Sequence, residues 1–156
     1  MIASRREILS HSAKVASLML AAGLFAQAAQ AAGPAAGKGA FDAKTLADLV
    51  KALGYSAPVE SKDVTIVGPD IAENGAVVPL TASTVLPGAK QILILVEKNP
   101  AAMIALFNLT DSVEANVSTR AKMGQSSDVY AVAIMADGKV LFAKKEVKVT
   151  LGGCGG

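Results

Sequence analysis

The chain has 156 residues, of which 52% are hydrophobic and 18% charged, and its formal net charge is +2. That length suits one ordinary domain, and the apolar fraction argues against a wholly disordered chain. Because 15 basic residues are set against 13 acidic ones, the sequence lacks the basic excess of a nucleic-acid-binding protein, and no nucleic acid is expected as a partner.

Residues 1–31 are predicted to be a cleavable signal peptide. Arg5 and Arg6 precede an Ala-rich apolar stretch over residues 15–25, and Ala29-Gln30-Ala31 then matches the A-x-A pattern that suggests cleavage after Ala31. The apolar stretch is shorter than the roughly 20 residues of a membrane span, so no membrane attachment is expected after cleavage. The paired arginines resemble those of a twin-arginine signal, which predicts export to the periplasm.

Cleavage of this signal removes the single histidine of the chain, His11. The mature chain therefore offers no imidazole for general-base catalysis, for a Ser-His-Asp or Cys-His site, or for metal binding. The sequence thus predicts a protein that is not an enzyme and that holds no metal or cofactor of its own.

Residues 32–151 are predicted to form one domain, which opens with a flexible Gly-, Pro- and Ala-rich leader over residues 32–40 and continues into one short helix. Asp42 is the expected N-cap of this helix, Phe41 its hydrophobic staple and Gly54 its left-handed C-cap. The helix is indicated by a single apolar stripe with spacing i, i+3, i+4 and i+7, formed by Leu46, Leu49, Val50 and Leu53.

After Tyr55 the hydrophobic period falls from about 3.6 to 2, or to short apolar runs, which predicts strands. The expected strands lie near residues 64–67, 76–81, 91–97, 104–109, 115–123, 129–136 and 140–151. Turn signals separate them, among them Asn74-Gly75 and Asp137-Gly138, of which the second is expected to close a tight hairpin. This pattern favours an all-β fold, an immunoglobulin-like antiparallel β-sandwich, over a parallel α/β sheet.

Several predicted strands are apolar on both faces, most clearly residues 92–96. An antiparallel sandwich strand normally shows a polar face to water, so something has to cover the outer face of these strands. The N-terminal helix or a loop is one candidate cover, and a partner subunit is the other. The two can coexist.

The sequence ends in a glycine-rich segment that contains its only cysteine, Cys154. Glycine buries no side chain and loses the most backbone entropy on ordering, so residues 152–156 are expected to be a flexible arm with an exposed thiol. Cys154 is therefore the candidate site for covalent attachment of a substrate, within a setting formed by Gly152, Gly153, Gly155 and Gly156. A disulfide to a partner and an inert tail are the alternatives.

Three features together resemble the SoxY family: the twin-arginine-like leader, β-rich segments such as LILVEKNP and MGQSSDVYAVAIMADGKV, and above all the terminal GGCGG. SoxY proteins are the sulfur-carrier subunits of the bacterial Sox thiosulfate-oxidising system. The resemblance covers residues 41–156. It implies an immunoglobulin-like, non-catalytic subunit that presents thiosulfate-derived intermediates on Cys154 to separate enzymes.

The resemblance also implies partners. A SoxZ-like subunit would form a heterodimer with this chain in the periplasm and could cover one outer face. A haem enzyme would join thiosulfate to the cysteine, a manganese hydrolase would remove sulfate, and in some systems a molybdenum and haem enzyme would oxidise the remaining sulfane sulfur. The alternative function is that of an exported structural β-sandwich whose Cys154 only forms an intermolecular disulfide.

Overall fold

The computed structural model describes residues 38–150, which form two β-sheets and two short helices. The helices are α1 (Lys38–Asp42) and α2 (Leu46–Ala52). The strands are β1 (Val59–Glu60), β2 (Val64–Val67), β3 (Ile71–Ala72), β4 (Val78–Thr84), β5 (Ala89–Val96), β6 (Met103–Asn108), β7 (Asn116–Ala121), β8 (Ser127–Met135) and β9 (Val140–Val149).

Helix α2 begins after a capped first turn. The Oγ1 atom of Thr45 accepts a hydrogen bond from the backbone N–H of Asp48 at 3.1 Å, which satisfies one of the amides that have no partner inside a helix. The prediction of Asp42 as N-cap is wrong, because Asp42 ends the separate helix α1 and Thr45 caps α2 instead.

Of the two other predictions for the helix ends, the C-terminal glycine is confirmed and the N-terminal hydrophobic staple is not. Gly54 follows the C-cap residue Leu53 and has a φ of +78°, so the predicted left-handed glycine is confirmed. The side chain of Phe41 is 54% exposed and does not belong to the core beneath the helices, so its prediction as a hydrophobic staple is wrong.

The larger sheet has six strands in the order β1-β9-β8-β5-β6, with β3 also pairing with β9. Strands β5, β6, β8 and β9 pair antiparallel. The two-residue strands β1 and β3 run parallel to β9 and lie at its two ends. The smaller sheet is antiparallel, with the order β2-β4-β7.

A first hydrophobic core fills the space between the two sheets. Alternate side chains of a strand point to opposite faces, so one half of the apolar residues of β5 and β8 faces the smaller sheet. This core contains Val64, Ile66, Val78, Leu80, Ile92, Ile94, Val96, Met123, Val129 and Val147, together with smaller alanines.

A second core lies between the helices and the outer face of the larger sheet. Leu93, Leu95 and Val132 point to this face, where they pack with the buried stripe of α2 formed by Leu46, Leu49, Val50 and Leu53. The N-terminal helical region, one of the two candidate covers, therefore does cover the strands that are apolar on both faces. A partner subunit as an additional cover stays a prediction.

All seven predicted strands are present, with ends shifted by at most three residues within the described part of the chain. The predicted hairpin at Asp137-Gly138 is also confirmed, since it joins β8 to β9. Strands β1 and β3 were not predicted, because two residues are too few to show a hydrophobic period. Their parallel pairings are additions to the antiparallel sandwich, and its immunoglobulin-like classification stays a prediction.

Neither helix within residues 38–150 combines the length and the apolar composition that crossing a membrane requires.

Leu49→Ala is expected to lower the free energy of unfolding by about 2–5 kcal/mol, because Leu49 is fully buried beneath α2 and its truncation leaves a cavity. Urea unfolding followed by circular dichroism measures this loss. Lys51→Ala, on the exposed side of the same helix, is the matched control and should change the value by less than about 0.5 kcal/mol. Equal losses in the two variants would contradict the proposed packing.

Candidate functional site

The residues predicted to carry the function lie outside the described part of the chain. They are Cys154 with Gly152, Gly153, Gly155 and Gly156, and the signal residues Arg5 and Arg6. The structure does describe the surface from which the Cys154 segment continues, because β9 ends at Val149 and Thr150 follows it. We call this surface the arm root and define it as residues 148–150 with the neighbouring segments 68–75 and 122–127.

Strand β3 holds one edge of the arm root. The backbone N–H of Lys148 donates to the carbonyl oxygen of Asp70 at 2.9 Å, and the N–H of Thr150 donates to that of Ala72 at 3.1 Å. The hydroxyl of Thr150 also lies 3.4 Å from the Ala72 carbonyl oxygen, which is a weak hydrogen bond. The chain is thus held by its backbone up to the last described residue.

Ser126 holds the opposite edge. The regular pairing of β8 with β9 ends at Ser127 and Val147. Beyond that pair, the backbone N–H of Val149 donates to the side-chain Oγ of Ser126 at 2.9 Å. A serine hydroxyl therefore takes the place that a strand carbonyl would have in a longer ladder.

An ion pair fastens the segment before β3 to β9. The Nζ atom of Lys145 lies 2.8 Å from Oδ1 of Asp70 and donates to the carbonyl oxygen of Gly68 at 2.6 Å. The hydrogen bond from Lys145, and then its charge, hold the pKa of Asp70 below its usual value. Because the carboxylate is exposed, the pair adds little to stability and serves chiefly to position the chain.

Gly75 allows the loop after β3 to lie directly against Met123 and Val149 within the arm root. Its carbonyl oxygen accepts a hydrogen bond from the N–H of Met123 at 2.7 Å. A Cβ atom at position 75 would lie 2.4 Å from the carbonyl oxygen of Met123 and 2.8 Å from Cγ1 of Val149. No larger residue fits there unless the backbone moves.

Two further loops are joined at this end of the sandwich. The N–H of Lys98 donates to Oγ of Ser127 at 3.1 Å, and Nδ2 of Asn99 donates to the carbonyl oxygen of Lys122 at 2.7 Å. Nε2 of Gln125 donates to the carbonyl oxygen of Lys98 at 3.3 Å. These bonds connect the β5–β6 loop to the segment that contains Ser126.

A cluster of four polar side chains lies on the outer face of the larger sheet, between the helix-covered core and the arm root. The hydroxyl of Tyr130 donates to Oε2 of Glu97 at 3.2 Å, and Asp128 forms an ion pair with Lys144 at 3.6 Å. Burial, followed by the negative charge of Glu97, raises the pKa of Tyr130 to about 12. Tyr130 is therefore a neutral hydrogen-bond donor at physiological pH.

Two open cavities, of about 570 and 480 Å³, lie at the other end of the sandwich. They flank the β4–β5 turn at Pro87, near the start of β9 and roughly 30 Å along that strand from Thr150. Asp111 and Asp137 in their walls form ion pairs with lysines. The cavities are thus remote from the arm root.

Among residues 38–150, no three His, Cys, Asp or Glu side chains are placed to hold a metal ion together. Arg120 is exposed on the edge strand β7 opposite Pro79. Its position matches that of a solvated edge-strand cation.

The family model described as "Sulfur oxidation protein SoxY" matches residues 49–154 of the chain, a stretch that includes Cys154. The chain belongs to the SoxY family. Among solved structures, the sulfur carrier protein SoxY from Chlorobium limicola f thiosulfatophilum is 36% identical with a TM-score of 0.60, covering 66% of this chain and 93% of that chain. The family predicted from the sequence is confirmed, and this SoxY chain is assigned to sulfur oxidation.

A protein outside the SoxY family has a similar fold. A superoxide reductase (neelaredoxin) from Ignicoccus hospitalis has a TM-score of 0.50 and 18% identity, covering 56% of this chain and 79% of that chain. At this identity the likeness shows a shared fold alone. No match to the chain was found among curated proteins.

The sequence did not reveal how the arm root of this SoxY chain is built. The Asn74-Gly75 pair indicated a turn, but its close approach to Met123 and Val149 depends on the folded structure. Ser126 had no sequence signal, because a serine in a polar loop is ordinary. Of the arm root, the sequence predicted the last strand and the Asn74-Gly75 turn but not the contacts between them.

Tyr130 is expected to make the fold less stable as the pH rises from about 10 to about 12. The unfolded chain loses the phenolic proton near pH 10, whereas the folded chain keeps it until about 12, so the unfolded state binds fewer protons in this range. Ultraviolet titration of tyrosinate, as the difference between wild type and Tyr130→Phe, measures the pKa. Glu97→Gln should lower the midpoint, and a midpoint near 10 in the wild type would contradict the environment described.

Proposed function

We propose that this SoxY-family chain is a covalent sulfur carrier of thiosulfate oxidation and that Cys154 is the attachment site. The observation that carries the proposal is the family match, which extends to Cys154, the only cysteine of the chain. The relative from Chlorobium limicola is itself described as a sulfur carrier protein. The chain supplies the thiol, and separate enzymes supply the chemistry.

The proposed cycle begins with an oxidation at the sulfur atom of Cys154. The thiol and thiosulfate join as Cys–S–S–SO₃⁻, which releases one proton and two electrons, and a haem enzyme accepts the electrons. Water then cleaves the terminal S–SO₃ bond, which leaves Cys–S–SH and releases sulfate and a proton. A manganese hydrolase would catalyse this cleavage, and in some systems a molybdenum and haem enzyme would oxidise the sulfane sulfur that remains.

Export and domain organisation belong to the same proposal. Residues 1–31, with Arg5 and Arg6, would direct the chain to the periplasm through a twin-arginine-type route. Residues 32–151 would form the single folded domain, and residues 152–156 the carrier arm. A periplasmic location suits a substrate that other exported enzymes process.

A SoxZ-like subunit is the proposed stable partner, and this part of the proposal rests on the family. The strands that are apolar on both faces no longer require a partner, because the helices cover the outer face of β5 and β8. The apolar surface that remains accessible includes the edge strand β6, where Ile104, Leu106 and Phe107 are half-buried. A partner subunit would find apolar contacts there.

Cys154→Ser is expected to abolish thiosulfate-dependent turnover with the partner enzymes while the fold is kept, because the only thiol of the chain is lost. Intact-mass spectrometry after thiosulfate treatment should show reductant-labile sulfur adducts on the wild type and none on the variant. Circular dichroism of both proteins checks the fold.

A double variant, Cys154→Ser with Ser112→Cys, is the matched control. It keeps one exposed cysteine but moves it to the β6–β7 loop, at the end of the sandwich opposite the arm root. The carrier proposal expects no turnover from this variant. Unmodified Cys154 in the wild type, or Cys154 found only in a protein disulfide, would instead favour the structural alternative.

A further inference from the structure

The end of β9 is bound more completely than its place in the sheet requires. The regular β8–β9 pairing stops at Val147, so the residues after it could have separated from the sheet without loss of that ladder. Instead, each of the next three backbone amides, at positions 148, 149 and 150, donates a hydrogen bond. Their acceptors alternate between the two edges of the strand, Asp70 and Ala72 on one side and Ser126 on the other.

The segment that provides these acceptors is itself fastened at both of its ends. A two-residue strand such as β3 has little stability of its own. Lys145 holds the chain before it at Gly68 and Asp70, and the bond between Met123 and Gly75 holds the chain after it. The strand that secures the end of β9 is thus fixed by contacts outside its own ladder.

Gly75 shows how closely this arrangement is packed. A methyl group at position 75 would overlap with both the carbonyl oxygen of Met123 and the side chain of Val149. The loop after β3, the end of β7 and the end of β9 therefore meet at one point. This close approach leaves Val149 little room to move away from its place in the strand.

We propose that residues 68–75 together with Ser126 form a clamp that makes Thr150 the fixed origin of the Cys154 arm. The functional consequence rests on the carrier function proposed above. An extended chain spans at most roughly 3.3–3.6 Å per residue, so the four residues after Thr150 place Cys154 within about 14 Å of it. If the clamp opened and released residues 148–150, the fixed origin would become Val147, and Cys154 could lie up to about 25 Å from it.

The clamp thereby determines where partner enzymes dock. An enzyme that acts on Cys154 must bring its reactive site to within about 14 Å of Thr150, so it has to approach the arm-root end of the sandwich rather than the end with the two cavities. A short, fixed tether also keeps the cysteine at a high effective concentration near a docked enzyme. The residues of the clamp are positioning residues, since they act through the arm.

Hydrogen exchange of the full mature chain tests the clamp. Ser126→Ala removes the acceptor of the Val149 amide, and exchange at amides 148–150 should become roughly three to ten times faster. The matched control is Ser118→Ala, which removes the 2.7 Å bond between Ser118 and Thr81 on the smaller sheet and should leave these amides unchanged. Unchanged exchange in Ser126→Ala, or an equal rise throughout the sheet, would overturn the proposal.

A distance measurement provides the second test. Spin labels on Cys154 and on Ser112→Cys, at the opposite end of the sandwich, report the range of the arm by pulsed electron paramagnetic resonance. Gly75→Ala should broaden the distribution toward shorter distances, because the fixed origin of the arm moves back about 10 Å along β9, toward Ser112, while three more residues join the free segment. Ser118→Ala should not, and an unchanged distribution in Gly75→Ala, with the label sites and fold intact, would contradict the clamp.

These tests do not depend on sulfur chemistry. If Ser126→Ala loosens the arm root but Cys154 carries no sulfur adduct, the clamp stands and the carrier function fails. If Cys154 is required for turnover but Ser126→Ala does not change hydrogen exchange at amides 148–150, the carrier function stands and the clamp fails.

Discussion

The constraint on which the structure depends is the apolar character of β5 and β8 on both faces. Ile92 and Ile94 require the smaller sheet, whereas Leu93 and Leu95, on the same strand, require the helices. Burial of these alternating side chains fixes three layers in order: helices, larger sheet and smaller sheet. Neither cover could be lost without exposing a continuous apolar surface to water.

Strand β9 is attached to the buried strands at the centre of the larger sheet. Strand β9 pairs with β8 along most of its length, and Val147 reaches the core between the sheets. The end of β9 is therefore held by a strand that is itself buried on both faces. The arm root adds only local contacts, those of β3 and Ser126, to a strand that already has a fixed position.

The sequence predicted the elements that have a period and missed those that depend on tertiary contact. The stripe from Leu46 to Leu53 and the seven longer strands were evident, because burial repeats along them. Strands β1 and β3 were not, since two residues show no period and form only because β9 offers a free edge. The N-cap was misplaced at Asp42 although Thr45 and Asp48 have the spacing of a capping pair.

At the candidate site, the sequence predicts the reactive residue but not its surroundings. Cys154 and its glycines are a candidate site that the sequence alone predicts, because a cysteine among glycines has no use in a core. The surroundings of Thr150 could not be found in this way, because their acceptors are mostly backbone carbonyl oxygens, which every residue possesses. Sequence identifies a group by its chemistry, and only the fold shows which ordinary groups hold it in place.

The carrier function proposed above would account for this difference between the cysteine and its surroundings. A carrier that leaves catalysis to its partners needs no activated side chain, so its folded part contributes geometry: a root at a known place and a tether of limited length. In the proposed carrier, flexibility beyond the root would allow several enzymes to reach the thiol, whereas a mobile root would spread the thiol over a larger volume. The hydrogen bonds of amides 148–150 hold the last described residues of the chain, and in the proposed carrier they would limit how far the thiol can move.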